Sequence, residues 1–404
     1  DERNSETVEA VVFYNVNPAY NYHNFSKLNS GIKKLKLSVG TSYNMDETAK
    51  MLKYTAPDHH YLESWNDHEA KVGHYTLTQP TITRIFNTRQ AQESLLIWAG
   101  NENADFYTFI QDTWKEAFGA DNFVAFWNQT LHDGYYIKPM VVAGSPSFKG
   151  TVKAASITAS AAMGGKGKLE LMTYEKISMG DGSQANNPWL QELPDPISKV
   201  SWDNYAIINK STADRLNLTD GDNISVSTSD GKIDSIPVLV QPGMVKDTVA
   251  IALGYGRIDA NREAMKKDTS GKNAFVLRAT RNGHTIGTSG DVKIAKVSEG
   301  YLLAQTQTHH TIEGRNMVKE TTLDRWQADP LSGNKSMSHI VSLWDEKDYK
   351  GHRWAMAIDL NACTGCGSCV IACQAENNVA VVGREEVLRG REMHWICLLY
   401  TSDA

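Results

Sequence analysis

Residues 8–16 (Val-Glu-Ala-Val-Val-Phe-Tyr-Asn-Val) are mostly β-branched, small or aromatic and stop at Asn17-Pro18, so they read as a strand and a turn. A helical stretch with Phe25 and Leu28 runs on to Gly31. Lys34–Val39 then alternates as a second strand, and Met45–Tyr54 reads as a helix that Pro57 stops. Strands alternating with helices of about ten residues predict a parallel, doubly wound α/β layer. From 88 to 132 the period turns helical. Arg89–Ala99 ends at Gly100; Phe106, Phe109, Ile110, Trp114 and Phe118 recur at three- and four-residue steps before Gly119; Asn122–Leu131 closes the segment. An aromatic stripe at helical spacing is expected to be core rather than a cofactor box.

After Gly134 the texture shifts to Gly, Ser, Ala and Lys, with Gly164-Gly165-Lys166-Gly167 in its middle, which reads as a crossover and a long connection. The next stretch is all β. Asp230-Gly231 between the alternating runs Asn223–Thr228 and Lys232–Val240 signals a hairpin, and Ser211 with Asp214 opens a short helix, Thr212–Asn217, in the manner of a capping box. Further strands are expected at Thr248–Leu253, Ala274–Ala279, Asp291–Val297 and Tyr301–Gln305; six short strands predict a closed barrel. The expected division is an α/β domain at 1–138, a connection at 139–200, a β-barrel at 201–310, a polar linker at 311–350 and a cysteine-bearing segment at 351–396.

Composition changes this picture little. A chain of 404 residues suggests two or three domains at roughly 150 residues each. With 41% apolar and 22% charged residues it reads as an ordinary globular protein. Lys plus Arg is 41 against 47 for Asp plus Glu, so the net charge of −6 offers no basic footprint for nucleic acid or an anionic membrane. The longest apolar stretches, such as Leu95–Ala99, fall far short of the roughly 20 residues that cross a bilayer. Position 1 is Asp and no targeting segment follows it, so an interior fragment is expected.

Five cysteines occur, none before Cys363, and four of them fall within Cys363–Cys373. Such clustering argues for metal ligation over disulfides. Cys363, Cys366, Cys369 and Cys373 have the spacing C-x2-C-x2-C-x3-C, the ferredoxin run, in which three thiolates hold one 4Fe-4S cubane and the fourth reaches a second. Zinc sites more often use separated C-x2-C pairs or Cys/His sets. The residue after the fourth cysteine is Gln374, where bacterial ferredoxins usually have Pro. Three local thiolates leave a cubane one ligand short, so more cysteine runs are expected beyond residue 396 and more than one cluster in the full-length protein.

Other constellations are weaker. His59-His60 with Glu63, and His309-His310, are expected to be structural, since adjacent imidazoles on an extended chain point to opposite faces. Gly254-Tyr255-Gly256-Arg257 could cradle an anion or simply form a turn. Ser145-Pro146-Ser147 lacks the flanks of a nucleophile elbow, and no catalytic residue is assigned.

Several stretches together carry a resemblance. Val12–Pro18 and Ala56–Trp65 resemble segments of the dinucleotide-type domain of molybdopterin oxidoreductases, and Trp202–Ala206 through Leu253–Arg257 is similar to that family's double-psi β-barrel. A ferredoxin-type run after the barrel in one chain resembles the iron–sulfur subunit of alternative complex III, the quinol:cytochrome c oxidoreductase. That resemblance implies an electron-relay subunit without molybdopterin. Its implied partners are a membrane quinol-oxidising subunit and a multihaem cytochrome subunit, and it would lie at the periplasmic face of the inner membrane, bound only through them. A working molybdopterin oxidoreductase acting on sulfur compounds and a non-redox assembly scaffold are the alternatives. The last eight residues, Cys397–Ala404, read like the translation of a transposase-type sequencing adapter, so Cys397 is expected to ligate nothing.

Overall fold

In the computed structural model the first apolar run forms β1 (Ala10–Phe13), which pairs in parallel with β2 (Leu37–Gly40); β2 pairs in parallel with β3 (Tyr54–Thr55). The structure describes residues 8–101, 104–119, 121–139, 147–153, 156–157, 169–258, 271–281, 284–308, 311, 314, 320–333, 343, 350–352, 356–359 and 361–396. The crossover from β1 to β2 is the helix Phe25–Ile32, whose Leu28 and Ile32 pack on Phe13. The expected second helix at 45–54 is only a short 3-10 turn, Ala49–Met51, because the chain must become extended again at Tyr54 to pair with Val39. Gln305–Gln307 apart, His309 and His310 lie outside the described residues, as do Ser145, Pro146, Gly164–Gly167 and 397–404.

The helical region carries its stripe inward. Helices Phe106–Phe118 and Phe123–Asp133 are capped by Asp105 and Asn122, and each ends on a left-handed glycine, Gly119 and Gly134. Trp114, Ile110 and Trp127 are buried together with Leu77, while Phe109 at the flank of the stripe is 42% exposed. They cover an antiparallel sheet that the sequence pattern did not announce. It is made of β4 (Asn66–Lys71), β5 (His74–Thr78) and β6 (Tyr135–Ile137). Most of β4 is polar and exposed, so its alternation carries no apolar signal.

The largest sheet has seven strands. β7 (Glu170–Tyr174), β9 (Ala206–Ile208), β10 (Asn223–Ser227), β11 (Lys232–Val240), β12 (Thr248–Ala252), β15 (Thr288–Ser289) and β16 (Lys293–Ser298) stand in the order β15-β7-β12-β9-β11-β10-β16. The Asp230-Gly231 hairpin forms as expected, with Ser227 opposite Lys232. Pairs β9/β11 and β7/β12 are parallel, so the sheet is mixed. Three local expectations differ. The tract 139–200, expected to be connection, supplies β7 beside the central strands. Ala274–Leu277 is a 3-10 turn rather than a strand; the ladder there starts only at β13 (Ala279–Arg281), which pairs with β14 (His284–Ile286). The helix after β9 is Lys210–Leu216, capped by the side-chain Oδ1 of Asn209, which accepts from Ser211 N–H at 2.9 Å, not by Ser211 itself.

The chain divides into two compact units. The larger holds 1–175, 179–186 and 204–301; the smaller holds 176–178, 187–203 and 302–404. The smaller unit includes the helix Pro188–Glu192, β8 (Val200–Ser201) paired antiparallel with β17 (Ala304–Gln305), and the helices Ser368–Glu376 and Arg384–Leu388. Its own core gathers Trp202, Ala304 and Val387. No helix among the described residues is long and apolar enough to cross a membrane.

Candidate metal centre

The four cysteines lie on a loop and the helix that follows it. Cys363 and Cys366 precede Gly367, the left-handed N-cap of Ser368–Glu376, and Cys369 and Cys373 sit one turn apart on one face of that helix. Gly365 and Gly367 have φ of 71° and 73°, which only a residue without Cβ adopts cheaply, so the loop can coil tightly between its thiols. All four thiols are free, two exposed and two half-buried. The Gly365 N–H donates to Cys363 Sγ at 3.4 Å, the Cys363 N–H is anchored on the Asp359 carbonyl at 2.9 Å, and Asn377 donates to Cys373 Sγ at 3.5 Å. Hydrogen bonds from Ser368, side chain first and backbone second, hold the Cys366 thiol below its ordinary pKa and favour the thiolate that iron needs.

Among the described residues no three Cys, His, Asp or Glu side chains converge on a single metal ion. A cubane does not require that, because each thiolate binds a different iron of the cluster. The donor chemistry fits: four free thiols, N–H groups aimed at sulfur, and glycines where the backbone turns.

The larger unit presents a second feature. A cavity of about 410 Å³ opens over the carboxyl ends of β1, β2 and β3, lined by Tyr14, Asn17, Ser42, Asp46, Asp58 and Arg257 among others. This is the edge where α/β sheets bind ligands. Arg257 is its only guanidinium or ammonium group among the described residues, and all three of its nitrogens have partners. It bonds Glu47 through Nε (2.9 Å) and Nη2 (2.8 Å) and the Gly182 carbonyl through Nη1 (2.6 Å), and lies over the Tyr20 ring. Burial alone would raise the Glu47 pKa. The Arg257 and Asn17 hydrogen bonds and the guanidinium charge outweigh it and hold that carboxyl at about 2. The lining carboxylates are also spoken for: Asp46 accepts from Ala49 N–H, Asp58 from Ala91 and His59 N–H, and Asp181 from Ser183 N–H.

The remaining sequence candidates have structural partners. His60 and Glu63 form a reciprocal cap around Tyr61–Glu63, Glu63 also accepts from Ile85 N–H at 2.9 Å, and His59 Nε2 meets the Thr88 carbonyl at 3.2 Å. Gly254 and Gly256 serve close packing, since a Cβ on either would lie 2.8 Å from Gly180 O or 2.2 Å from Asn273 N. Of the two readings left open for Gly254–Arg257, an anion cradle or a turn, the structure shows Arg257 holding an internal anion, the Glu47 carboxylate, a partner 210 residues away that spacing alone does not disclose.

Comparison with known proteins bears on both features. Residues 354–375, a span holding all four cysteines, match the family of the 4Fe-4S binding domain. Over 302 residues, 71% of this chain and 42% of the relative, the sequence is 26% identical to the menaquinone reductase molybdopterin-binding-like subunit of Nitratidesulfovibrio vulgaris. One chain thus carries a stretch similar to a molybdopterin-binding-like subunit and a segment similar to 4Fe-4S binding domains. A shorter match, 68% identical over 28 residues, links that segment to the iron–sulfur cluster-binding subunit of the same organism's menaquinone reductase, covering 7% of this chain and 11% of the relative. The chain spans less than half the length of either relative. In fold the body is similar to acetylene hydratase from Pelobacter acetylenicus, with a TM-score of 0.53 at 15% identity, covering 73% of this chain and 46% of that one.

A pterin dinucleotide carries phosphates that need cations or unpaired N–H groups. Among the described residues the cavity offers those phosphates neither a free guanidinium nor a free ammonium group.

Proposed function

We propose that this chain is an electron-relay subunit of a respiratory oxidoreductase complex, of the alternative complex III type, in which electrons from quinol pass through 4Fe-4S clusters toward a cytochrome. The carrying observation is the free four-thiol run on a glycine-hinged loop and helix, within the stretch that matches the 4Fe-4S binding domain. Bound clusters supply reversible one-electron transfer. The chain's part is to hold them: Cys363, Cys366 and Cys369 anchor one, and Cys373 reaches a neighbour whose other ligands lie elsewhere in the full-length protein. Relatives named as menaquinone reductase subunits support a quinone-linked complex. A reductase feeds electrons to quinone and an oxidoreductase of the proposed type draws them from quinol; the same wire serves either direction, set by the potentials at its ends.

In this proposal the molybdopterin-like body holds no molybdopterin, as the engagement of Arg257 by Glu47 supports, and its seven-stranded sheet is the family's double-psi barrel. The partners are a membrane quinol-oxidising subunit and a multihaem cytochrome subunit, at the periplasmic face of the inner membrane. A working molybdopterin enzyme is the second reading, favoured by the cavity at the sheet's carboxyl edge. Metal analysis of the full-length protein separates the two: iron without molybdenum is expected, and about one molybdenum per chain establishes the enzyme. Cys363→Ser and Cys366→Ser are each expected to lower bound iron and abolish quinol-to-acceptor transfer while the larger unit stays folded. Unchanged iron in both variants rejects the cluster assignment.

A further inference from the structure

Within the smaller unit, the short helix Pro188–Glu192 and the turn that follows it hold both ends of the cysteine-bearing helix. At one end Leu193 packs on the loop glycine: a Cβ on Gly367 would lie 3.0 Å from Leu193 Cδ1, and Pro196 stands 3.9 Å from the same position on Gly365. At the other end Trp189 Nε1 donates to the Val379 carbonyl at 2.8 Å, and Val379 N–H itself closes on Gln374 O at 2.9 Å. Between these, Glu192, with no exposed surface, accepts from Val382 N–H at 3.2 Å, Gly383 N–H at 2.8 Å and the Trp202 indole at 3.3 Å. Arg384 then pairs with buried Asp203 at 2.8 Å. A fully buried carboxylate is tolerated only when its oxygens are saturated in this way.

We infer that the Pro188–Pro196 tract is the cradle of the iron–sulfur centre, with Trp189 and Glu192 as positioning residues that fix the helix carrying Cys369 and Cys373, and Leu193 and Pro196 as an apolar wall along one side of the cluster loop. The inference rests on the relay reading and deepens it. Hydrogen bonding and solvent exposure around the sulfurs set a cluster's potential. The cradle therefore tunes the relay although it carries no ligand and lies well before the cysteines in sequence.

The test uses the full-length protein, purified without oxygen, in wild-type form and as Leu193→Ser, Leu193→Met and Glu192→Gln. Iron content, midpoint potential and the electron paramagnetic resonance of the reduced clusters are measured. Leu193→Ser admits water, which stabilises the more negatively charged reduced cluster, so its potential is expected to rise; Leu193→Met, apolar and of similar volume, keeps the wild-type value. Glu192→Gln cannot serve all three donors as a carboxylate does, so the cluster is expected to lose iron several-fold faster under a chelator and to show altered resonance. Wild-type potential, resonance and iron retention in both Leu193→Ser and Glu192→Gln overturn the cradle alone. Absence of iron from the wild-type protein overturns the relay reading, and the cradle with it.

Discussion

Glu47 and Arg257 show how much one ion pair carries here. Both are under a tenth exposed, and the pair also organises its surroundings: Asn17 donates to Glu47 at 2.7 Å while its carbonyl accepts from Thr48, so the Asn-Pro turn after β1 is locked to the loop after β2. Because the folded-state pKa of Glu47 is depressed to about 2, the stability it confers is present above the ordinary carboxylate pKa of 4.5 and is lost as pH falls from there toward 2. A shift of that size corresponds to roughly 3 kcal/mol. Glu47→Gln is expected to destabilise the larger unit by about 3 kcal/mol at neutral pH, by leaving a buried guanidinium short of a countercharge, and to flatten the acid limb. Urea unfolding at pH 6 and pH 3 checks this; an unchanged pH dependence in the variant refutes it. The sequence marked Asn17-Pro18 as a turn and Gly254–Arg257 as an anion cradle or a turn. It could not mark their common partner, because Glu47 sits in an unremarkable polar stretch and only the parallel sheet brings it near.

Elements were legible where two local signals agreed. The Asp230-Gly231 hairpin has turn chemistry and flanking alternation together, and helix Phe106–Phe118 has period, cap and terminal glycine together. They were illegible where one signal stood alone. β7 is short and follows a Gly- and Lys-rich run, so nothing local separates it from a connection; its place is fixed by β12, some 80 residues on. Ala274–Leu277 is an apolar run too short to reveal its period, and it folds as a turn against the hairpin. That contact has a measurable cost. A Cβ on Gly231 would fall 1.9 Å from the Val276 carbonyl, so Gly231→Ala must move backbone and is expected to cost about 2–3 kcal/mol. Gly243→Ala, at a φ of 82° with nothing nearby, should cost only about 1 kcal/mol. Thermal unfolding of the two variants compares them directly, and equal losses would show that the turn relaxes.

At the scale of the whole molecule the cysteine run was the most legible feature, because ligand spacing is a local property. The cradle was not, because residues 187–203 join the cysteines only through the chain's division into two units. Each unit has its own apolar core, around Ile208, Ile224 and Ile251 in the larger and around Trp202 and Val387 in the smaller. Stripping iron from the full-length protein is therefore expected to speed amide exchange in 187–203 and 361–396 and to leave β9, β11 and β12 unchanged. Uniform loosening of both units on iron removal would contradict this.

The smaller unit is assembled from chain that is made early and chain that is made late. On the ribosome the Pro188–Glu192 helix emerges before residues 204–301, and both emerge before Cys363. Through that interval Trp189, Glu192 and Leu193 have no Val379, Gly383 or Gly367 to close upon. Contacts of such long sequence separation form slowly and late. In the proposed relay the cradle of the cluster therefore closes only after the cysteines are made, and a chain interrupted before residue 367 would leave Trp189, Glu192 and Leu193 without these partners.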